Sequence, residues 1–282
     1  MAKRIDNKLN LLERDLPEGL LVDASWLQKR GYSTSLRSQY VTAGWLQQPV
    51  RRVYRRPRGS LDWQQVVVSL QTLLGYPLIV GGRTALELQG YGHYLAHQMS
   101  EVHLYGPKPP PGWLKNLKVD VHFLYHNDRK LFCTTSSQYA PPSLSADLTT
   151  TESSRAGSAG PATTIQPWGQ WNWPLVLSTP ERAILELMDE LPARESFHQV
   201  DKLMEGMANL SPRRLQELLT DCRNVKVKRL FFYFADRHRH AWLKRLKKGT
   251  IDLGAGKRML VKGGKLDSTY QITVPEDLDA VH

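Results

Sequence analysis

Residues 23–44 read Asp23-Ala-Ser-Trp-Leu-Gln-Lys-Arg-Gly-Tyr-Ser-Thr-Ser-Leu-Arg-Ser-Gln-Tyr-Val-Thr-Ala-Gly44, and shortly after comes Val50-Arg-Arg-Val-Tyr-Arg-Arg-Pro-Arg58. Asp23 is a candidate N-cap for a helix through Trp26, Leu27 and Arg30, closed by Gly31. Ser33 and Ser35 are candidate caps for a second helix, Leu36 to Ala43, which ends at Gly44. On that helix Leu36, Tyr40 and Ala43 fall within about 60° of one another, which makes them the buried stripe. Ser35, Ser38 and Thr42 point the other way, with Arg37 and Gln39 on the flanks. Short hydrogen-bonding side chains of this kind suit base edges and phosphates. The run that follows carries Arg51, Arg52, Arg55, Arg56 and Arg58, five arginines in eight residues. An arginine run alone is usually a solvated face. The order helix, turn, helix, glycine and basic strand is that of a winged helix, a module that reads DNA.

The neighbours on either side extend this pattern. Residues 3–16 read as a supporting helix with Ile5, Leu9 and Leu12 inward, ended by Pro17-Glu18-Gly19. Leu61 to Leu74 is a further amphipathic helix (Trp63, Val66, Val67, Leu70, Leu73, Leu74), stopped by Gly75. Leu78-Ile79-Val80 is a short buried strand, followed by Gly81-Gly82-Arg83 and a helix from Thr84 to Gln89. Strands are expected at Glu101–Tyr105, Val119–Tyr125 and Leu131–Thr134, whereas the four prolines of Pro107–Pro111 allow neither helix nor central strand. From Thr134 to Thr164 the composition turns to Ser, Thr, Ala, Pro and Gly, an insertion within one domain. A strand resumes at Trp171–Leu177. Ser178-Thr179-Pro180-Glu181 then opens a helix with a cap, an N1 proline and a capping-box glutamate. Helices follow from about Phe197, from Ser211-Pro212 and over Val225–Arg237, the last with Leu230, Phe231 and Phe234 inward. The end reads as a hairpin, Arg258–Lys262 and Thr269–Val274, turning at Gly263-Gly264. The fold class is therefore α+β: a winged helix over residues 1–60, then a larger mixed α/β domain over 61–282.

Charge is segregated along this frame. The 282 residues carry a net +11. Residues 1–60 hold 12 Lys/Arg against 5 Asp/Glu, and residues 224–265 hold 13 against 2, whereas 61–223 hold 13 against 16. Two basic regions around a slightly acidic middle point to a polyanionic partner. In the second region Lys226, Lys228, Arg229, Lys257 and Arg258 are the candidate basic face. No apolar run approaches the ~18 residues of a membrane helix, and no signal-peptide core follows Met1, so a cytoplasmic location is expected. Cys133 and Cys222 stand far apart with no C-x-x-C pair, so neither a zinc site nor a disulfide is indicated, and two buried thiols are expected.

Gly81-Gly82, between a strand and a helix, could cradle phosphate, and with Thr84-Ala85-Leu86 it resembles the glycine pair opening a nucleotidyltransferase core. Such enzymes need two carboxylates on the next strand to hold magnesium. Here that strand reads Ser100-Glu101-Val102-His103-Leu104, with one acid and one histidine, and Val119-Asp120-Val121-His122 repeats the pairing. A catalytically silent relative of that fold is the expectation, with no catalytic residues, no metal and no cofactor. His93 and His97 share a helical face at i, i+4, but no third zinc ligand accompanies them, so partly buried structural histidines are expected. His238-Arg239-His240 reads as part of a basic run. Trp168, Trp171 and Trp173 could stack on bases, yet beside a sheet they read first as core and rim.

Several long strings together resemble the AbiEi family: Trp26–Arg58, Val80-Gly-Gly-Arg-Thr-Ala-Leu-Glu-Leu-Gln-Gly-Tyr-Gly-His-Tyr-Leu95, and Ser178-Thr-Pro-Glu-Arg-Ala-Ile-Leu-Glu-Leu187. Asn224-Val-Lys-Val-Lys-Arg-Leu-Phe231 and Ile251-Asp-Leu-Gly-Ala-Gly-Lys-Arg258 add to the likeness, which spans nearly the whole chain. It implies the antitoxin of a bacterial type IV toxin–antitoxin, or abortive-infection, system. It further implies an autorepressor on double-stranded DNA repeats in its own promoter. A C-terminal domain neutralising a cognate nucleotidyltransferase-like toxin, often without a stable complex, is also implied. The insertion Thr134–Thr164 is longer than the family pattern leads one to expect. Two rival readings remain open at this point. One is a metal-dependent nucleotidyltransferase using Glu101 and Asp120. The other is an RNA-binding module with residues 224–265 as its surface.

Overall fold

A computed structural model describes residues 2–94, 99–134, 142–144 and 162–279. His97, the side chains of Ile5 and His93, and most of the expected insertion therefore lie outside the described residues. Helix α1 (Ala2–Asp15) leads into a three-stranded antiparallel sheet, β1 (Leu21–Asp23), β2 (Gln47–Val50) and β3 (Val53–Arg55), with β3 in the middle. Between β1 and β2 stand α2 (Ala24–Lys29) and α3 (Thr34–Thr42). Their starts follow from local capping. Asp23 Oδ1 accepts from the Trp26 N–H at 2.8 Å, and Ser33 Oγ from the Leu36 N–H at 3.2 Å. Pro49 breaks the pairing of β2, which is permitted on an edge strand. This is the winged-helix arrangement that the order of motifs predicts.

Helix α4 (Trp63–Val68), prolonged by a π-turn over Ser69–Leu73, couples this unit to the rest. Ser69 Oγ accepts from the Leu21 N–H at 2.9 Å, and the Gln71 amide bonds both Leu78 O and the Val176 backbone. A five-stranded sheet follows, in the order β6-β5-β4-β8-β7. Its strands are β4 (Ile79–Val80), β5 (Glu101–Gly106), β6 (His122–Asn127), β7 (Thr163–Trp168) and β8 (Trp173–Ser178). Pairs β5–β6 and β4–β8 are parallel; β4–β5 and β7–β8 are antiparallel. Helix α5 (Gly82–Leu88) leaves β4 directly, and α6 (Pro180–Asp189) leaves β8. Helices α7 (Phe197–Gly206), α8 (Pro212–Asp221) and α9 (Val225–His238) complete the helical layer, and a small hairpin, β9 (Lys265–Asp267) and β10 (Ile272–Val274), closes the chain.

One contiguous apolar core runs from Leu12 to Leu278 and includes side chains of both the N-terminal unit and the larger sheet. Five expectations are corrected. Residues 163–164, expected in the insertion, begin β7, and Leu131–Thr134 is no strand but a single bridge, Phe132 to Cys222. The terminal hairpin turns at residues 268–271, not at Gly263-Gly264, because Lys265–Asp267 supplies the partner strand. Ala43 is exposed instead of lying in the buried stripe of α3, and Cys133 is an exposed free thiol, while Cys222 is buried as expected. Among the described residues no helix is long and apolar enough to cross a membrane.

Candidate nucleic-acid interface

The outer face of α3 is polar and open. Ser33, Ser35, Ser38, Gln39 and Thr42 are all exposed, and Tyr40 is buried against the unit's core. Beside this face the β2–β3 hairpin projects its tip, Arg51-Arg52, into solvent. Arg52 adopts a left-handed conformation, φ 67°, and its carbonyl accepts from the Ala24 N–H at 2.8 Å, which ties the tip to the start of α2. Neither guanidinium has a hydrogen-bond or ion-pair partner among the described residues. A short-residue helix face next to two free arginines is an arrangement able to take base edges and phosphates together.

The other arginines of the stretch, expected among the DNA contacts, bond to groups of the protein itself, Arg55 buried, Arg56 half-buried and Arg58 still exposed. Arg55 lies on the central strand, is 4% exposed, and donates to Arg58 O at 3.0 Å and to Gly59 O. Burial lowers its pKa from the usual arginine value, with Asp62 opposing. Arg56 donates to Glu13 O at 3.1 Å and Leu16 O at 3.3 Å, capping the open carbonyls at the end of α1, and pairs with Glu13 and Glu18. Arg58 pairs with Glu18 at 3.0 Å and lies 5.4 Å over the ring of Trp171. Arg37, expected on the flank of α3, is 5% exposed and bonds Ala24 O at 2.6 Å and Thr34 Oγ1 at 2.8 Å. It fastens α3 to α2.

The glycine turn holds a different surprise. Gly82 has φ +51°, open to glycine without strain. A Cβ on Gly81 would strike Glu186 Oε2 and, at 2.5 Å, the Tyr105 ring. Glu186 Oε2 itself accepts from the Gly82 N–H at 2.9 Å. The amide at the helix start that could cradle phosphate therefore faces a carboxylate of the protein. That carboxylate is fully buried beside Arg182, which bonds Glu186 at 2.7 Å and Asp128 at 3.1 Å. Burial raises the pKa of both acids, and Arg182 opposes the rise. Farther along the same face His103 and His126 lie 3.0 Å apart, stacked with Tyr105, and His126 reaches Glu190 at 3.1 Å. Burial, and then the charge of His126, lowers His103 to about 4. Glu101 and Asp120 are exposed, and His122 is paired with Glu101 across β5 and β6. Among the described residues no three His, Cys, Asp or Glu side chains form a group that could hold a metal.

Family models match the chain in two parts. The model described as transcriptional regulator, AbiEi antitoxin, type IV TA system matches residues 99–275. A second, described as transcriptional regulator, AbiEi antitoxin N-terminal domain, matches residues 5–97. The chain belongs to the AbiEi antitoxin family. Among curated proteins nothing matches it. The crystal structure of RV2827C protein from Mycobacterium tuberculosis is similar, with a TM-score of 0.54 over 94% of this chain and 88% of that one. At 16% identity this likeness shows the shared fold alone. AbiEi proteins are transcriptional-regulator antitoxins of type IV systems, and the α+β fold with an N-terminal winged unit accords with that class.

In this AbiEi chain the expected C-terminal basic face is divided. Lys226 donates to Asp189 O at 2.6 Å and Leu191 O at 2.9 Å, supporting the last carbonyls of α6. Lys228 is 6% exposed, and Arg229, 3% exposed, bonds Leu253 O at 2.7 Å and Gly256 O at 2.6 Å. Only Lys257 and Arg258 of the five are exposed. Of the three tryptophans Trp173 is buried and stacked with Trp168 at 6.0 Å, whereas Trp171 is 56% exposed. His238 meets Asp201 at 2.8 Å and His240 meets Met204 O at 2.6 Å, so both serve packing. The residues missed from sequence are Glu186, Arg182 and Asp128. Arg182 and Glu186 at i, i+4 on an apolar helix were the available signal.

Proposed function

We propose that this chain is an autorepressor that holds double-stranded DNA from its own promoter repeats on α3 and the wing tip. Its C-terminal part counteracts a nucleotidyltransferase-like toxin and catalyses nothing itself. Family membership supports the regulator and antitoxin roles in outline. The observation that carries the DNA reading is the pairing of an exposed Ser/Gln/Thr face with two arginines that have no partner among the described residues. Support for catalytic silence comes from Glu186, which occupies the Gly82 N–H where a nucleotide phosphate would bind. The departure at Glu101-Val102-His103 points the same way.

The test uses the full chain, duplex from its upstream region and a scrambled duplex. Operator affinity should exceed scrambled affinity by at least about 1,000-fold. Arg51→Ala with Arg52→Ala should weaken both and cut the salt slope by about 2, since each phosphate contact contributes about 0.9. Ser38→Ala and Gln39→Ala should change which sequence is preferred. Equal affinity for the two duplexes would sink the operator reading. For the antitoxin role, cells carrying the neighbouring toxin under an unrelated promoter should survive with this chain, and also with its Glu101→Ala variant. Nucleotide transfer by the purified chain, abolished by that substitution, would restore the enzyme reading.

A further inference from the structure

The segment after α9 carries charge that the fold does not neutralise. Helix α9 is 14 residues long, about 21 Å. At its end Arg239 takes a left-handed conformation and turns the chain back. The returning strap is pinned along the helical layer. His240 bonds Met204 O, and Trp242 Nε1 donates to Met207 O at 2.8 Å, both at the end of α7. Gln216 of α8 accepts from the Lys247 N–H at 2.8 Å and donates to Thr250 Oγ1 at 3.1 Å. Arg229 then holds Leu253 O and Gly256 O, and Gly254 lies against Val225, the first residue of α9. The strap thus runs the length of α9 in the opposite direction. Its apolar side chains, Trp242 and Ile251, are buried beneath it.

Its cations point the other way. Arg239, Lys244, Arg245, Lys247, Lys257 and Arg258 are exposed, and none has an ion-pair or side-chain hydrogen-bond partner among the described residues. Lys248 of the same strap, in contrast, pairs with Asp236 at 3.5 Å. Like charges strung over about 20 Å do not suit a single small anion. They match the spacing of a nucleic-acid strand, which presents about six phosphates over that length at 3.4 Å each.

The hydrogen bonds that pin the strap run to α7, α8 and α9, and among the described residues none runs to the winged unit. That unit packs through α4 and Trp173 on one side of the five-stranded sheet. Helix α6 crosses the other side, over Tyr105 and His126, and α9 packs against α6 with the strap beyond it.

We propose that the strap from Arg239 to Arg258 is a second nucleic-acid surface. It holds the phosphodiester backbone of a segment other than the duplex on α3. This goes beyond the regulator reading and does not depend on operator binding. A second DNA segment and an RNA share the chemistry, so both are probed.

Full-length chain is titrated into a labelled scrambled duplex of about 20 base pairs, an RNA hairpin of matching charge, and a polyglutamate peptide of that charge, at several KCl concentrations. The strap variant carries Lys244→Gln, Arg245→Gln, Lys247→Gln and Lys257→Gln; the wing variant carries Arg51→Ala and Arg52→Ala. In the wing variant background, adding the strap substitutions should weaken one or both nucleic-acid probes at least tenfold and lower the salt slope by about 3. The probe with the larger loss identifies the source. Should the four substitutions lower the melting temperature, the pairs Lys244→Gln/Arg245→Gln and Lys247→Gln/Lys257→Gln are compared instead, each expected to remove about half the slope change. Unchanged affinity and slope for both probes would overturn the proposal. So would polyglutamate binding as tightly as either nucleic acid. Loss of operator selectivity in the wing variant alone bears only on the regulator reading.

Discussion

Gly81 sets the close approach of three groups, and its cost of substitution can be read from what stands around it. A methyl there meets the buried Glu186 carboxylate and the Tyr105 ring, neither of which has room to retreat. Gly81→Ala should therefore destabilise the fold by about 2 kcal/mol, as overpacking does. Gly112→Ala, with nothing within 4 Å of the new methyl, should stay within about 0.5 kcal/mol in the same denaturant titration. Equal midpoints for the two would mean that the Gly81 contacts are slack. His103 makes a second residue-scale case. Its ring, buried beside His126, resists protonation until about pH 4, against 6.5 for a free histidine. Between those values the unfolded chain takes up a proton that the folded chain refuses. Stability from this residue is thus fully present above pH 6.5 and falls as pH drops towards 4, by about 3 kcal/mol. Asp201 is raised by burial but pulled net below the usual carboxylate value by His238 and Arg237, so its contribution fades only at lower pH. His103→Leu should flatten the melting temperature between pH 4 and 6.5. A slope identical to that of the parent would assign the effect elsewhere.

Among elements, the wing shows one arginine type in two employments. Arg51 and Arg52 sit at a hairpin tip, whereas Arg55 and Arg56 satisfy carbonyls of the chain itself. Arg55→Ala should lower stability, because Arg58 O and Gly59 O lose a donor, at about 1–3 kcal/mol. Once refolded at low temperature, that variant should keep the parent's salt slope on duplex DNA. A slope cut by about 1 would place Arg55 on the phosphates after all. Local signals made much of this legible from sequence. Asp23, Ser33, Asn224 and Ser211 cap their helices through side-chain hydrogen bonds to backbone N–H groups, and Pro180 stands at a helix start as its chemistry predicts. What was not legible depended on distant partners. Arg55 is buried because β3 pairs with β1, more than thirty positions upstream, and with β2 on its other side. Strand β7 went unseen because it is an edge strand with a proline, approached through a Ser/Thr/Pro/Gly-rich segment that hides its alternation. The basic edge of α9 looked solvated because sequence cannot tell a cation facing water from one that braces the end of another helix.

At the scale of the whole molecule, sequence division and physical division differ. The family matches meet between residues 97 and 99, which would assign β4 and α5 to the N-terminal part. Yet β4 is the central strand of the five-stranded sheet, paired with β5 on one side and β8 on the other. A fragment beginning at residue 99 would lack that strand and the Gly82 N–H that meets buried Glu186, leaving the carboxylate and Arg182 poorly satisfied. A fragment beginning at residue 61 keeps the whole sheet, α5 and α4 with its Gln71 bridge. It loses the N-terminal partners of α4, because Leu21 no longer donates to Ser69 and Gly19 no longer packs on Gln65. Residues 61–282 should therefore unfold cooperatively but below the parent's melting temperature, with duplex binding through α3 gone. Residues 99–282 should lack a cooperative transition and bind a hydrophobic dye, the behaviour of a chain whose sheet has lost its middle. Calorimetry on the two fragments decides between the divisions. A sharp transition in residues 99–282 would show that β5 to β8 close on themselves, and would move the domain boundary to the place where the family matches meet.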